Sequence, residues 1–95
     1  MKNAAARLLE KAAEVIEQRR KTYGPPAEHF ARTAAAVSAI FSSKLKSPFS
    51  SSDWAMVMII DKLARHQGDE PSEDTPVDLA GYAACLAECE ETHAL

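Results

Sequence analysis

The stretch Ser50-Ser51-Ser52-Asp53-Trp54-Ala55-Met56-Val57-Met58-Ile59-Ile60-Asp61-Lys62-Leu63-Ala64-Arg65-His66 decides the fold. A serine followed three residues later by an acid is a capping box, in which each side chain satisfies a backbone N–H that a helix start leaves unpaired. Behind that cap, Trp54, Val57, Met58, Asp61, Lys62 and Arg65 recur at three-and-four spacing, the period of one helix face. A half-buried strand would alternate apolar and polar residues instead. The segment therefore reads as a helix that continues to about His66.

Working outward, the same logic gives three more helices. On the N-terminal side, the loop Lys46-Ser47-Pro48-Phe49 is preceded by Phe30, Ala34, Val37, Phe41 and Leu45, with Ile40 alongside, the expected buried face of a helix over 27–44. Tyr23-Gly24-Pro25-Pro26 breaks the chain before it, because glycine tolerates positive φ and proline lacks a donor. Earlier still, Leu8, Leu9, Ala12, Val15 and Ile16 form the stripe of a helix over 3–21, closed by Arg19-Arg20-Lys21 at its negative end. On the C-terminal side an acidic loop, Gly68 to Asp74, leads to Thr75-Pro76-Val77-Asp78, a second capping pattern with proline at the first helical position. A helix over 76–91 carrying Leu79, Tyr82, Ala83 and Leu86 follows. With no strand signal or internal repeat, the expectation is an all-α domain, 1–95, built as a small bundle of about four helices.

Ninety-five residues leave room for one core, and much of the 46% apolar content is alanine, which buries little area. Small chains in this position gain burial by pairing with copies of themselves, so a homo-oligomer is expected. No apolar run of about 18 residues predicts a membrane span, and the N-terminus lacks the core of a secretory signal. Cys85 and Cys89, one helical turn apart, are too few for a disulfide framework or a zinc site. They read as small helix residues in a reducing cytoplasm.

The net charge of −3 is unevenly spread. Residues 1–32 hold seven Lys/Arg against four acids, residues 33–65 hold four against two, and residues 66–95 hold eight acids with no Lys or Arg. Such polarity suits an anion site in the basic half and argues against duplex DNA, which wants a net basic face.

Several residues carry the chemistry of a nucleotide ligand. Lys62 and Arg65 would grip phosphate with Asp61 orienting them; equally, Asp61 and Arg65 are spaced for a surface salt bridge. Arg19, Arg20 and Lys21 add a second basic set. Tyr23 beside Gly24 offers a stacking face in a tight turn, with Glu28 and His29 just beyond, or packs over the first helix end. Tyr82 stands one turn from Asp78. Glu28, Asp61, Asp74 and Asp78 are the hard oxygen ligands that Mg²⁺ would take alongside a nucleotide's phosphates, although Asp78 is also accounted for as a cap. No glycine-rich phosphate loop or nucleophile elbow is present.

The run Arg20-Lys21-Thr22-Tyr23-Gly24-Pro25-Pro26-Ala27-Glu28-His29-Phe30, with Asp53-Trp54-Ala55-Met56-Val57-Met58, Lys62-Leu63-Ala64-Arg65 and Val77-Asp78-Leu79-Ala80-Gly81-Tyr82-Ala83-Ala84, resembles a family of small phage and prophage proteins classed as a domain of unknown function. Its pattern is Tyr-Gly-Asp-Pro, Asn-Phe, Asp-Val-Ala-x-Met-Met, Lys-x-x-Arg and Asp-x-x-Gly-Tyr. The match spans roughly residues 19–90, with Pro25 in place of the usual Asp and His29 in place of the usual Asn. More distantly the chain is similar to nucleotide-modification-associated helical domains and, through them, to MazG-like all-α pyrophosphohydrolases. The Glu-x-x-Glu signature of those enzymes has no match here; Glu10, Glu14 and Glu17 form only a solvent-facing stripe. The basic sets Arg19–Lys21 and Lys62/Arg65, Tyr23 and the phage-family resemblance together lead to the expectation of a phage-type nucleotide-binding protein, either an accessory of nucleotide metabolism or one that sequesters an immune signalling (cyclic) nucleotide. Its alternatives are a Mg²⁺-dependent (d)NTP pyrophosphohydrolase and a protein that binds and inhibits a host defence complex.

Overall fold

The computed structural model describes residues 2–68 and 74–94 and contains four α-helices: α1 (Ala4–Tyr23), α2 (Pro26–Ile40), α3 (Ser51–Gly68) and α4 (Asp74–Ala94). A short 3₁₀ turn, Ser42–Lys44, follows α2, and the described residues include no strand. The acidic loop expected between Gly68 and Asp74 lies outside the described residues except for its two ends.

Local chemistry sets each boundary. Asn3 caps α1, its Oδ1 accepting from the Ala6 N–H at 2.9 Å. Gly24 ends that helix with φ 80° and ψ −171°, a region open essentially to glycine alone, while its N–H donates to the Arg20 carbonyl at 2.9 Å. Pro25 and Pro26 then start α2 at once, so the turn between the two helices has almost no slack. At α3 the capping box forms as the sequence indicates: Asp53 N–H donates to Ser50 Oγ at 3.1 Å, and Ser50 N–H donates to Asp53 Oδ2 at 2.8 Å.

Two boundaries differ from the sequence reading. The helix expected over 27–44 stops at Ile40, leaving Phe41 as its cap and 46% exposed rather than buried. The Ser38 hydroxyl accepts from the Phe49 N–H at 2.8 Å, which folds the following loop back against the α2 end. α4 begins at Asp74, ahead of Thr75 and Pro76, so Asp78 lies a full turn inside the helix and is not its cap. Its carboxylate is used elsewhere, against Lys62.

The core is narrow. Phe30, Ala55 and Cys89 are its buried centre, with Ala27, Trp54, Tyr82, Cys85 and Leu86 packed around them; Ala12 and Ala34 are buried separately. Ala55 and Cys89 have no accessible surface, so α3 and α4 approach closely there and share the largest interface in the fold. α1 packs on α4 and lightly on α2, and among the described residues it makes no contact with α3. That gap between α1 and α3 is the origin of the site described next.

Phe30→Ala removes the one large side chain at the core centre and is expected to lower unfolding free energy by about 3 kcal/mol in urea titrations. Gly24→Ala meets nothing within 4 Å of the added Cβ, so its expected cost of about 1–3 kcal/mol is backbone strain alone. An undiminished urea midpoint for Gly24→Ala would contradict the positive-φ turn.

Candidate functional site

A cavity of about 330 Å³ opens where α1 and α3 stand apart. Val15, Ile16, Arg19 and Arg20 come to it from α1, Trp54 and Met58 from α3, and Val77, Asp78, Gly81, Tyr82 and Cys85 from α4. Tyr23 and Gly24 at the α1–α2 turn, with Pro26, His29 and Phe30 from α2, complete the wall. The lining is mostly apolar with a few polar groups converging on it, the usual make-up of a small-molecule pocket.

Its aromatic side chains form a continuous series. The Tyr23 and His29 rings are stacked, with centroids 6.0 Å apart and planes 27° from parallel. His29 meets Phe30 at 5.8 Å, and Phe30 meets Tyr82 at 6.4 Å. The tight Gly24-Pro25-Pro26 turn fixes this arrangement, because it sets Tyr23, at the end of one helix, beside His29 in the first turns of the next. Gly81 leaves open space on the α4 side, where an added Cβ would meet nothing within 4 Å.

Two ion pairs brace the walls. The Arg20 guanidinium donates to Glu88 Oε1 and ties α1 to α4. That bond, reinforced by the Glu88 charge, holds the Arg20 proton more firmly than usual. Since a guanidinium carries five N–H donors, Arg20 keeps donors for the cavity while Glu88 fixes its position. Across the fold, Lys62 Nζ lies 3.0 Å from Asp78 Oδ2, a half-buried pair that joins α3 to α4. Arg19 lines the cavity from an exposed position and makes no ion pair among the described residues. The Cys85 thiol faces the same space, and burial pushes its pKa up, so it stays a neutral thiol. Both cysteines are free.

The structure therefore sorts the residues singled out in the sequence. Arg19, Arg20, Tyr23, Gly24, His29, Asp78 and Tyr82 meet at one cavity. Lys21, Glu28, Asp61, Lys62, Arg65 and Asp74 do not line it. Arg65 Nε pairs with Asp61 Oδ2 at 3.2 Å on the exposed side of α3, the surface bridge that their spacing allows. Lys62 reaches the cavity only indirectly, by holding Asp78. Among the described residues no three His, Cys, Asp or Glu side chains gather as metal ligands, so Glu28, Asp61, Asp74 and Asp78 are not drawn together. Val15, Ile16, Trp54, Met58 and Cys85 line the cavity but read in the sequence only as packing residues. Their signal was the apolar stripe itself, which does not say whether a neighbour or a void lies opposite.

Among the described residues no helix is long and apolar enough to cross a membrane. A family described as "Domain of unknown function (DUF6378)" matches residues 7–90. The "Gene 55 protein" of Mycobacterium phage D29 is 39% identical over 80 residues, covering 83% of this chain and 50% of that protein. The chain thus spans about half the length of the curated relative it matches. No solved structure matches it at a significant level.

Asp78→Ala strands the Lys62 ammonium between α3 and α4 and is expected to cost about 2 kcal/mol of stability. Replacing both residues with apolar ones should recover much of that loss. A double variant no more stable than Asp78→Ala alone would show that the pair is not what Asp78 serves. Cys85 is expected to react with a disulfide reagent at neutral pH far more slowly in the native protein than in urea.

Proposed function

This chain belongs to the DUF6378 family, a phage-associated domain of unknown function, and we propose that it binds a single nucleotide unit in the cavity between α1 and α3. The observation that carries this reading is the meeting of an aromatic wall with a basic rim in one space. Tyr23, His29, Trp54 and Tyr82 supply faces on which a base stacks, a contact worth about 1–3 kcal/mol and tolerant of base identity. Arg19 and Arg20 stand at the same opening, and planar guanidinium groups match phosphate oxygens in bidentate geometry. Arg20, already held by Glu88, is the pre-positioned member; Arg19 is the one with its charge uncommitted among the described residues.

Size narrows the ligand. A volume of about 330 Å³ lies at the lower end of the roughly 300–1,000 Å³ usual for ligand pockets, enough for one nucleotide. A mononucleotide, linear or cyclic, fits within that space, whereas a cyclic oligonucleotide would insert one base and leave the rest outside. Binding without turnover is the simpler chemistry for this wall, since its one carboxylate, Asp78, is engaged by Lys62. In a phage-associated family, a host signalling nucleotide held out of circulation is the role that such a site would serve.

Titration of the single Trp54 with nucleoside monophosphates, cyclic mononucleotides and the parent nucleosides tests this reading. Saturable quenching is expected, and Arg19→Ala should weaken a phosphorylated ligand roughly tenfold or more while leaving the nucleoside within about twofold. Gly81→Leu should fill the cavity and remove binding with the helical signal intact. Absence of quenching across the panel, or equal losses for nucleoside and nucleotide, would refute the assignment.

A further inference from the structure

We propose that α3 is the contact helix of a two-fold symmetric homodimer, in which Met56, Ile60 and Leu63 pack antiparallel against the same residues of a second copy. This inference does not depend on what the cavity binds.

The first ground is the pattern on α3. Trp54 to Ile60 is a run of seven apolar residues, and seven residues pass almost twice around a helix. A helix that is apolar on all sides is one that has neighbours on all sides. Within one chain the side bearing Ala55, with Trp54 and Met58 near it, meets the core and the cavity, and Val57 and Ile59 are half-buried. The opposite side leaves Met56 43%, Ile60 64% and Leu63 49% exposed, at the spacing i, i+4, i+7 of one continuous seam.

The second ground is area. The chain exposes 6897 Å², against about 5,400 Å² for a monomeric protein of 10.3 kDa, an excess of about 1,500 Å². Obligate homodimers hide roughly 1,000–2,500 Å² on each partner, so the excess is the size of one dimer face. The radius of gyration agrees: 14.7 Å, where a closed domain of this length has about 12 Å.

The third ground is charge, and it selects both the partner and the direction. α3 carries Asp53 in its first turn and Arg65 and His66 in its last. Laid antiparallel on itself about Ile60, each acidic, dipole-positive start lies beside the basic end of the other copy. The contact is then made twice by symmetry. A parallel pairing would set like ends together. The seam comes close to that symmetry, since Met56 and Leu63 stand four and three residues from Ile60 on either side.

Sedimentation equilibrium of the full chain is expected to give twice 10.3 kDa at micromolar concentrations. Ile60→Glu should halve that mass with the helical circular-dichroism signal retained. Leu9→Glu, on the helix that does not touch α3, should leave the dimer intact. Because Ile60→Glu can impair folding, Ile60→Cys supplies a second readout. A short bis-maleimide should link two copies through it in high yield, against a background set by the wild-type protein, whose Cys85 and Cys89 remain. A monomeric wild type, a partner of another kind included, overturns the proposal. So does a dimer that survives Ile60→Glu, or an Ile60→Cys protein that cross-links no more than wild type.

Discussion

The buried cluster of Phe30 on α2, Ala55 on α3 and Cys89 on α4 is the constraint on which the rest of the molecule depends. Ala55 and Cys89 have no accessible surface and small side chains, which lets α3 and α4 pack closely. A tight junction at one place implies space at another in a bundle with so few large buried residues. α1, held to α4 but not to α3, stands off the bundle, and the space left between α1 and α3 is the cavity. Fold and site are thus two results of the same packing: small residues where α3 and α4 join, aromatic residues where the wall is left without a neighbour.

Polar chemistry follows the same division. In a thin core an unpaired charge shielded from water would be costly, and the half-buried charges that brace the walls are paired across helices, Arg20 with Glu88 and Lys62 with Asp78. Each pair joins α4 to one of the helices flanking the cavity. α4 therefore supplies both acidic anchors, which accounts for part of the acidic bias of the last third of the chain. Arg20 and Lys62, from the basic first two-thirds, are their complement inside the fold. Arg65 and Asp61, by contrast, satisfy each other on the exposed side of α3 and leave the cavity chemistry to α1.

The elements were legible wherever local chemistry fixes them. The capping box at Ser50 and Asp53 and the Gly24-Pro25-Pro26 break are short-range features, and the structure contains both. Misreadings arose where a distant partner decides. Asp78 resembles a cap by position, yet its partner Lys62 lies on another helix. Phe41 fits the α2 stripe, yet the helix ends before it, where the loop turns back onto Ser38. The same rule governs the site. Tyr23, Gly24 and His29 were recognisable because the turn holds them together, and Arg19 and Arg20 because they are adjacent in sequence. Lys62 and Arg65 share a helix with Trp54, but only the tryptophan turns to the cavity. Spacing along one helix says which residues share a face; which face meets which helix is settled by packing.

Amide chemical-shift mapping of the isotope-labelled protein with adenosine monophosphate decides whether the cavity between α1 and α3 takes a nucleotide. Saturable shifts are expected at Gly24, His29, Gly81, Tyr82 and Cys85, residues on two helices and one turn that meet at the cavity. Shifts clustered instead at Asp61 and Arg65, or none at millimolar nucleotide, would contradict it.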